Sequence, residues 1–454
     1  RLVGSEMCIR DSYTQFLFSQ YGRTAQSVNA RGMLSRLLRM ESSSSTPALG
    51  TAPPLRAVIE AIRAHEQAQK WIHSVRSDPR SARTRASDTI LPSLLAALAV
   101  DAGVLAVCAT DAEAERLADA VSWYVGDDMA APYLARGVQY GGGIAPSPSR
   151  VGSREHARSV AHRSDVIIAS VEALIERVPV ADLRAKPVRV RVGERLDRDE
   201  LITRLVDAGY ERVEQAEERG QIAARGDIVD VFPTTAANPV RVELFDDEID
   251  GIRSFSSYTQ RSLGALDELV ALPAAELAGL DAHDVRWAEG TGDEGSGDAV
   301  LDLAGEDGME ASWHALLAAP FPTPSVLIID PASVQRELDD CMVELDASHV
   351  IRSGYADGTS LNATVLADAV LVDQLGAGHA YVFDAEPPVF AAVGFAEAEA
   401  ELHGLVQRGM RTVITFPHEG HAGRVERQLR RVSAERLMSD PPRDALGSEP
   451  GVMT

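Results

Sequence analysis

Three short, uninterrupted apolar runs, Val104 to Ala109, Val166 to Ala169 and Ser325-Val-Leu-Ile-Ile-Asp330, constrain this chain more than any other feature. A strand that is apolar on both faces must be covered on both sides, which is the habit of parallel sheets flanked by helices. The segments between supply those helices. Ser93 to Val100 is apolar at helical spacing, Asp111 is placed to cap a helix with Ala114, Leu117, Ala118 and Val121 on one face, and Val171 to Arg177 forms another. The expected fold class is therefore α/β, multidomain, with a doubly wound parallel sheet.

At 454 residues the chain exceeds one ordinary core, and a prior of about 150 residues per domain predicts roughly three units. Residues 1–33 begin with RLVGSEMCIRDS, which fits no helical or strand period and reads as an artefact or disordered leader, with Met33 as the expected start. Residues 34–187 are the first part of the α/β domain. At Pro187 the texture changes: Val188-Arg-Val-Arg-Val192 alternates like a half-exposed strand. Asp197 with Glu200 then forms an acidic capping box for a helix that turns Leu201, Ile202, Leu205 and Val206 inward and stops at Gly209. A small inserted α/β domain is expected over 188–273. Residues 274–385 return to the first domain, with Glu289 to Glu310 as an acidic linker and Tyr381-Val-Phe383 as a strand. A third α/β unit over 386–454 has a helix at Ala396 to Gln407, a strand at Arg411 to Phe416 and a helix with Ala422, Val425, Leu429 and Val432 on one face. It reads as truncated.

Composition narrows the function. A net charge of −24 argues against general attraction to nucleic acid or anionic membranes. No run of eighteen apolar residues and no secretory signal is present, and the three cysteines, Cys8, Cys108 and Cys341, give neither a disulfide framework nor a zinc pattern, so a cytoplasmic location is expected. His418-Glu419-Gly420-His421 lacks the spacing of a helical zinc motif and is read as a loop.

The most informative stretch is ARGDIVDVFPTTAANPVRVELFDDEIDGIRSF, Ala224 to Phe255. In Val240 to Phe245 a period of two sends Val240, Val242 and Leu244 to the core and Arg241, Glu243 and Phe245 to the other face. Ile228 to Phe232 is the antiparallel partner, and this register would put Arg225 and Arg241 toward opposite ends of the pair. Arg225-Gly226-Asp227 is read as strand interior and not as an adhesion motif. The outward row can be structural, with Phe245 under a helix and Arg241 paired to Glu243, or it can be a docking face of the aromatic-plus-arginine kind.

These residues carry a resemblance. RGDIVDVFP, PVRVELFDDEIDGIRSF and the following TQRSL, Thr259 to Leu263, resemble the signature shared by bacterial transcription-repair coupling factors (Mfd) and the B subunit of the excision nuclease. The likeness implies that 188–273 binds the A subunit, UvrA. Arg225, Arg241 and Phe245 would be the binding residues, and Glu243 would orient Arg241. It implies that the full-length protein is an ATP-dependent DNA translocase acting on stalled RNA polymerase. ATP and Mg²⁺ would belong to motor domains missing from this chain, with no catalytic residue, cofactor or metal here.

The residues agree with that division. Only Lys70 and Lys186 are lysines, and neither lies in the GxxxxGK[ST] pattern through which a lysine reaches nucleotide phosphates. Gly141 to Gly143 has no lysine beside it, and the best strand ends in Asp330-Pro331 where a motor would have Asp-Glu. The first domain thus resembles a helicase-like nucleotide-binding fold that has lost its site. Two other readings stay open. A divergent B subunit acting as a DNA-dependent ATPase would need an aromatic DNA-inserting hairpin where this chain has only Tyr133 and Tyr140. The other is an adaptor with no motor in its gene.

Overall fold

The apolar runs form parallel strands. The computed structural model describes residues 55–126, 129–138, 146–159, 166–279, 308–317, 324–346, 355–385, 394–408, 412–413, 419–435 and 452–453. The leader, Gly141 to Gly143, Tyr140, Cys8, His418 and most of the acidic linker lie outside them, as does the side chain of His421. The chain divides into two units, one of the stretches to Leu98, Asp119–Asp127 and from Val372, the other of Ala99–Ala118 and Asp128–Leu371.

In the second unit four parallel strands lie in the order Ser325–Ile329, Val104–Cys108, Val166–Ser170, Ala130–Tyr133. Both central strands are buried at every residue, as their unbroken apolar sequence demands. Three local expectations need correction. Thr110, not Asp111, caps the helix Asp111–Val125: its hydroxyl accepts from Glu113 N while Glu113 reaches back to Thr110 N, a reciprocal capping box. Asp111 instead accepts from Ala135 N and Ser170 Oγ and pairs with Arg150. The helix after Ser170 ends at Ile175, because Arg177–Pro179 leaves to pair with Met309–Ala311, so the last residues of the expected linker are strand.

A second layer is inserted between the strands Val166–Ser170 and Ser325–Ile329. Six strands follow in the order Ser262–Leu266, Glu248–Phe255, Val240–Phe245, Ile228–Phe232, Gln221–Arg225, Glu211–Arg212, antiparallel except for the last pair. The helix Arg198–Asp207 covers the inner face with Leu201, Ile202 and Leu205, against Val229, Val231, Val240, Val242 and Leu244. Asp197 caps it through Asp199 N and Glu200 N, and Gly209, at φ +89°, takes the left-handed conformation that ends it. Glu200 pairs with Arg204, so the capping box is half made. Val188–Arg191 enters the insertion beside Glu268–Ala271, which leaves it, with Val188 opposite Ala271.

The insertion is fastened to the α/β layer by buried charge. Arg136 and Arg154 face Glu176 and Glu276, all at most 6% exposed. Arg136 Nε donates to Glu276 Oε2 at 2.8 Å, and Arg136 N donates to Glu176 Oε1 at 2.9 Å. Arg154 pairs with Glu176, donates to the Leu134 carbonyl at 2.6 Å, and lies over the Tyr133 ring. Its Nε also approaches Glu276 Oε1 to 3.1 Å, close enough for an ion pair although misaligned as a hydrogen bond. Next to this cluster, Gly152 meets the 233–235 turn so closely that a Cβ would lie 2.1 Å from Thr234 Oγ1.

In the first unit Thr84–Ala86 lies between Tyr381–Phe383 and the end of Val370–Asp373, all parallel. Trp71 seals the strand, donating to Thr84 Oγ1 at 2.8 Å and meeting Phe383 edge-on. The helix Phe395–Gln407 matches its expected span. Val432 follows the helix Glu419–Gln428 instead of lying on it, and packs with Leu402.

Burial pushes the Glu276 carboxyl up, but Arg136 and Arg154 outweigh it and hold it at about 2. The resulting stabilisation is complete above the ordinary value of 4.5 and is lost as pH falls toward 2. Glu276→Gln leaves buried guanidinium charge uncompensated and is expected to cost about 3–5 kcal/mol at neutral pH. Denaturant unfolding should also show the variant less sensitive than the parent between pH 4.5 and 2.5.

Candidate docking face

The outer face of the six-stranded sheet is where the alternation of Val240–Phe245 comes due. Val240, Val242 and Leu244 are buried, while Arg241 and Glu243 are half-buried and Phe245 is 74% exposed. Among the described residues no helix covers Phe245. It stands at the tip of a hairpin whose two-residue turn, Asp246-Asp247, has Asp246 at φ +54°, a left-handed conformation that a short acidic side chain tolerates. A bulge at Glu243/Leu244 twists the hairpin next to it.

Arg241 is held on three sides. Its Nε and Nη2 donate to Asp230 Oδ1 and Oδ2 at 2.6 and 2.7 Å, a bidentate pair between directly opposed residues of neighbouring strands. Its guanidinium carbon lies 4.6 Å from the centroid of the buried Phe255 ring. Nη2 also reaches Gln260 Oε1 at 3.3 Å. The Asp230 carboxylate drives the guanidinium pKa further up, so the cation is permanent.

The expected role of Glu243 is corrected. Its carboxylate pairs with Arg253 at 2.6 Å, and Asp230, not Glu243, orients Arg241. The reason is register: Asp230 lies opposite Arg241 and Arg253 is the opposite neighbour on the other side, whereas Glu243 sits two residues along the same strand. Arg225 is exposed, and its Nη2 donates to the Glu214 carbonyl at 2.8 Å beside a shallow depression lined by Arg212, Val213, Glu214 and Ala224. It lies opposite Ile228, which lies opposite Glu243. Arg225 and Arg241 are thus two strands and one side-chain row apart, roughly 10–12 Å by strand spacing, and not at opposite ends of the pair. Gly226 and Asp227 form the exposed turn of the hairpin and not strand interior.

The sheet therefore brings Arg225, Arg241, Glu243 and Phe245 to one face. Sequence reading passed over Asp230, Arg253, Phe255 and Gln260. The period of two in Ile228–Phe232 marks Asp230 as outward, but only the register shows what it meets. Among the described residues no cluster of histidine, cysteine or carboxylate side chains is suited to a metal ion, and no helix is long and apolar enough to cross a membrane. Burial pushes the Cys108 and Cys341 thiols up to about 12, the opposite of what a nucleophile needs.

Residues 188–277 match the family described as the UvrB interaction domain, which contains this whole face. The chain is similar to the transcription-repair-coupling factor of Mycobacterium bovis, with 34% identity over 278 residues, 54% of this chain and 22% of that protein. It is similar to that of Bacillus subtilis, with 40% identity over 113 residues, 25% of this chain and 10% of that protein. UvrABC system protein B of Streptococcus equi subsp. zooepidemicus is 38% identical over 127 residues, 28% of this chain and 19% of that protein. The chain thus spans about a fifth or less of the length of these relatives.

Phe245 and Arg241 differ in what they do for the fold. Phe245→Ala removes an exposed ring and should change unfolding free energy by no more than about 0.5 kcal/mol, whereas Arg241→Ala leaves Asp230 unpaired and Phe255 uncovered and should cost about 1–2 kcal/mol. Chemical denaturation of the two variants side by side checks the contrast.

Proposed function

With a UvrB interaction domain match over 188–277 and coupling factors as relatives, we propose that this chain is the amino-terminal part of a transcription-repair coupling factor. Its outer sheet face docks UvrA, bringing nucleotide excision repair to RNA polymerase stalled on damaged DNA. The observation that carries the reading is the exposed Phe245 on the same strand face as a clamped, permanently charged Arg241, a combination typical of interface anchors. Translocation on DNA, with its ATP and Mg²⁺, is assigned to the rest of the full-length protein.

The division of labour is supported inside the first unit. In parallel α/β folds ligands bind beyond the carboxyl ends of strands. There, after Thr84–Ala86, the turn Ser87 to Ile90 leads into the helix Leu91–Ala99, and several of its polar groups bond within the protein. Ile90 N and Leu91 N donate to the Ser87 carbonyl, Ser87 Oγ bonds both Ala385 N and O, and Asp88 accepts from Gln374. An aspartate at this turn opposes a phosphate. In the second unit Asp330, the strand end weighed in the sequence, caps the helix Pro331–Asp346 through Ser333.

Against the rival reading, a B subunit with ATPase activity, stands the coupling factor of Mycobacterium bovis, whose likeness extends over 54% of the chain, whereas that of Bacillus subtilis covers 25% and that of the B subunit 28%. Titration of the purified chain with UvrA tests the proposal. Phe245→Ala and Arg241→Ala should each weaken binding at least about thirtyfold, or about 2 kcal/mol, and added salt should weaken the parent complex. Binding unaffected by either folded variant would refute the docking role, and DNA-stimulated ATP hydrolysis by this chain would favour the rival.

A further inference from the structure

Arg241 presents a problem if it is an anchor. A guanidinium already clamped by a carboxylate is neutralised, and a partner's acceptor would have to compete with Asp230. The geometry resolves the conflict. Asp230 engages only the Nε/Nη2 edge, in a side-on bidentate contact. Phe255 fixes the plane from below, and Gln260 touches Nη2 alone at 3.3 Å. Gln260 is itself fixed, since its Nε2 donates to the Ser257 carbonyl at 2.9 Å and its backbone has φ +57°. Among the described residues no contact of Arg241 uses Nη1. An arginine side chain carries about 2 kcal/mol of rotamer entropy, which ordering on binding would otherwise forfeit. Here much of that ordering has taken place in the free protein.

We infer that Asp230 is a positioning residue of the docking face: by fixing Arg241 flat on Phe255 it presents the Nη1 edge to a hydrogen-bond acceptor of the partner. Asp230 strengthens binding without touching the partner. Removing it should therefore weaken the complex, although it removes a negative charge that competes for the same arginine. The inference rests on the docking reading above.

The test is a double-mutant cycle read by calorimetric titration of the full chain with UvrA. Asp230→Asn keeps the shape and loses the charge-assisted clamp. It should weaken binding by about tenfold in the parent and by less than about twofold in the Arg241→Ala background. A purely structural loss would weaken both backgrounds alike. Equal or tighter binding by Asp230→Asn in the parent, or an equal loss in both backgrounds, overturns the inference while the docking reading stands on Arg241→Ala and Phe245→Ala. If the parent chain itself does not bind, the docking reading fails and the inference with it. If Asp230→Asn does not fold, Phe255→Leu replaces it in the same cycle, because it removes the platform under the guanidinium and leaves the carboxylate. The same pattern of losses is then expected, and the same contrary patterns overturn it.

Discussion

Two buried arginines opposed by two buried glutamates decide how the inserted domain meets the layer that carries it. Apolar packing alone tolerates sliding, because dispersion and burial have little directional preference. Arg136 and Arg154 remove that freedom. Each demands hydrogen-bond acceptors at fixed angles, and those acceptors come from four separate places: Glu176 with the adjoining Arg177 carbonyl at the start of the Arg177–Pro179 strand, the Leu134 carbonyl, Ser312, and Glu276 at the exit of the insertion. A module displaced by even one residue would strand charge in the interior, which is far more costly than a lost contact. The close approach of Gly152 to Thr234 follows from this fixed seat.

The candidate docking face shows the same preference for fixed geometry on a smaller scale. Its central charges are laid out as cross-strand pairs, Asp230 with Arg241 and Glu243 with Arg253, so each of these two arginines is held by a carboxylate of a neighbouring strand. Such a surface resists indiscriminate association while keeping a defined aromatic and a defined cation in register.

What the sequence made legible was whatever depends on one strand or helix at a time. The buried runs at Val104 and Val166, the Asp197 cap, the Gly209 stop and the outward row from Arg241 to Phe245 follow from spacing alone. What it hid depends on which strand lies beside which. Asp230 as the partner of Arg241, Arg253 as the partner of Glu243, and Gly226 as a hairpin tip all require the register between strands, which a single sequence states only weakly. The turn Ser87 to Ile90 was overlooked for a related reason. Its strand is three residues long and lacks an apolar run, so its place between Tyr381–Phe383 and Val370–Asp373 exists only in three dimensions.

The insertion begins and ends on paired strands, Val188 lying opposite Ala271. A segment whose two ends are neighbours can be lifted out of one chain and spliced into another at any surface turn that accommodates a gap of about 5 Å, without stretching the host. That property suits a recognition unit found in relatives with different names and lengths. Its buried ionic tie to this host is the pair of arginines that receive Glu276, so a transplanted copy would fold with its face intact yet lack that fixed direction in which to point it.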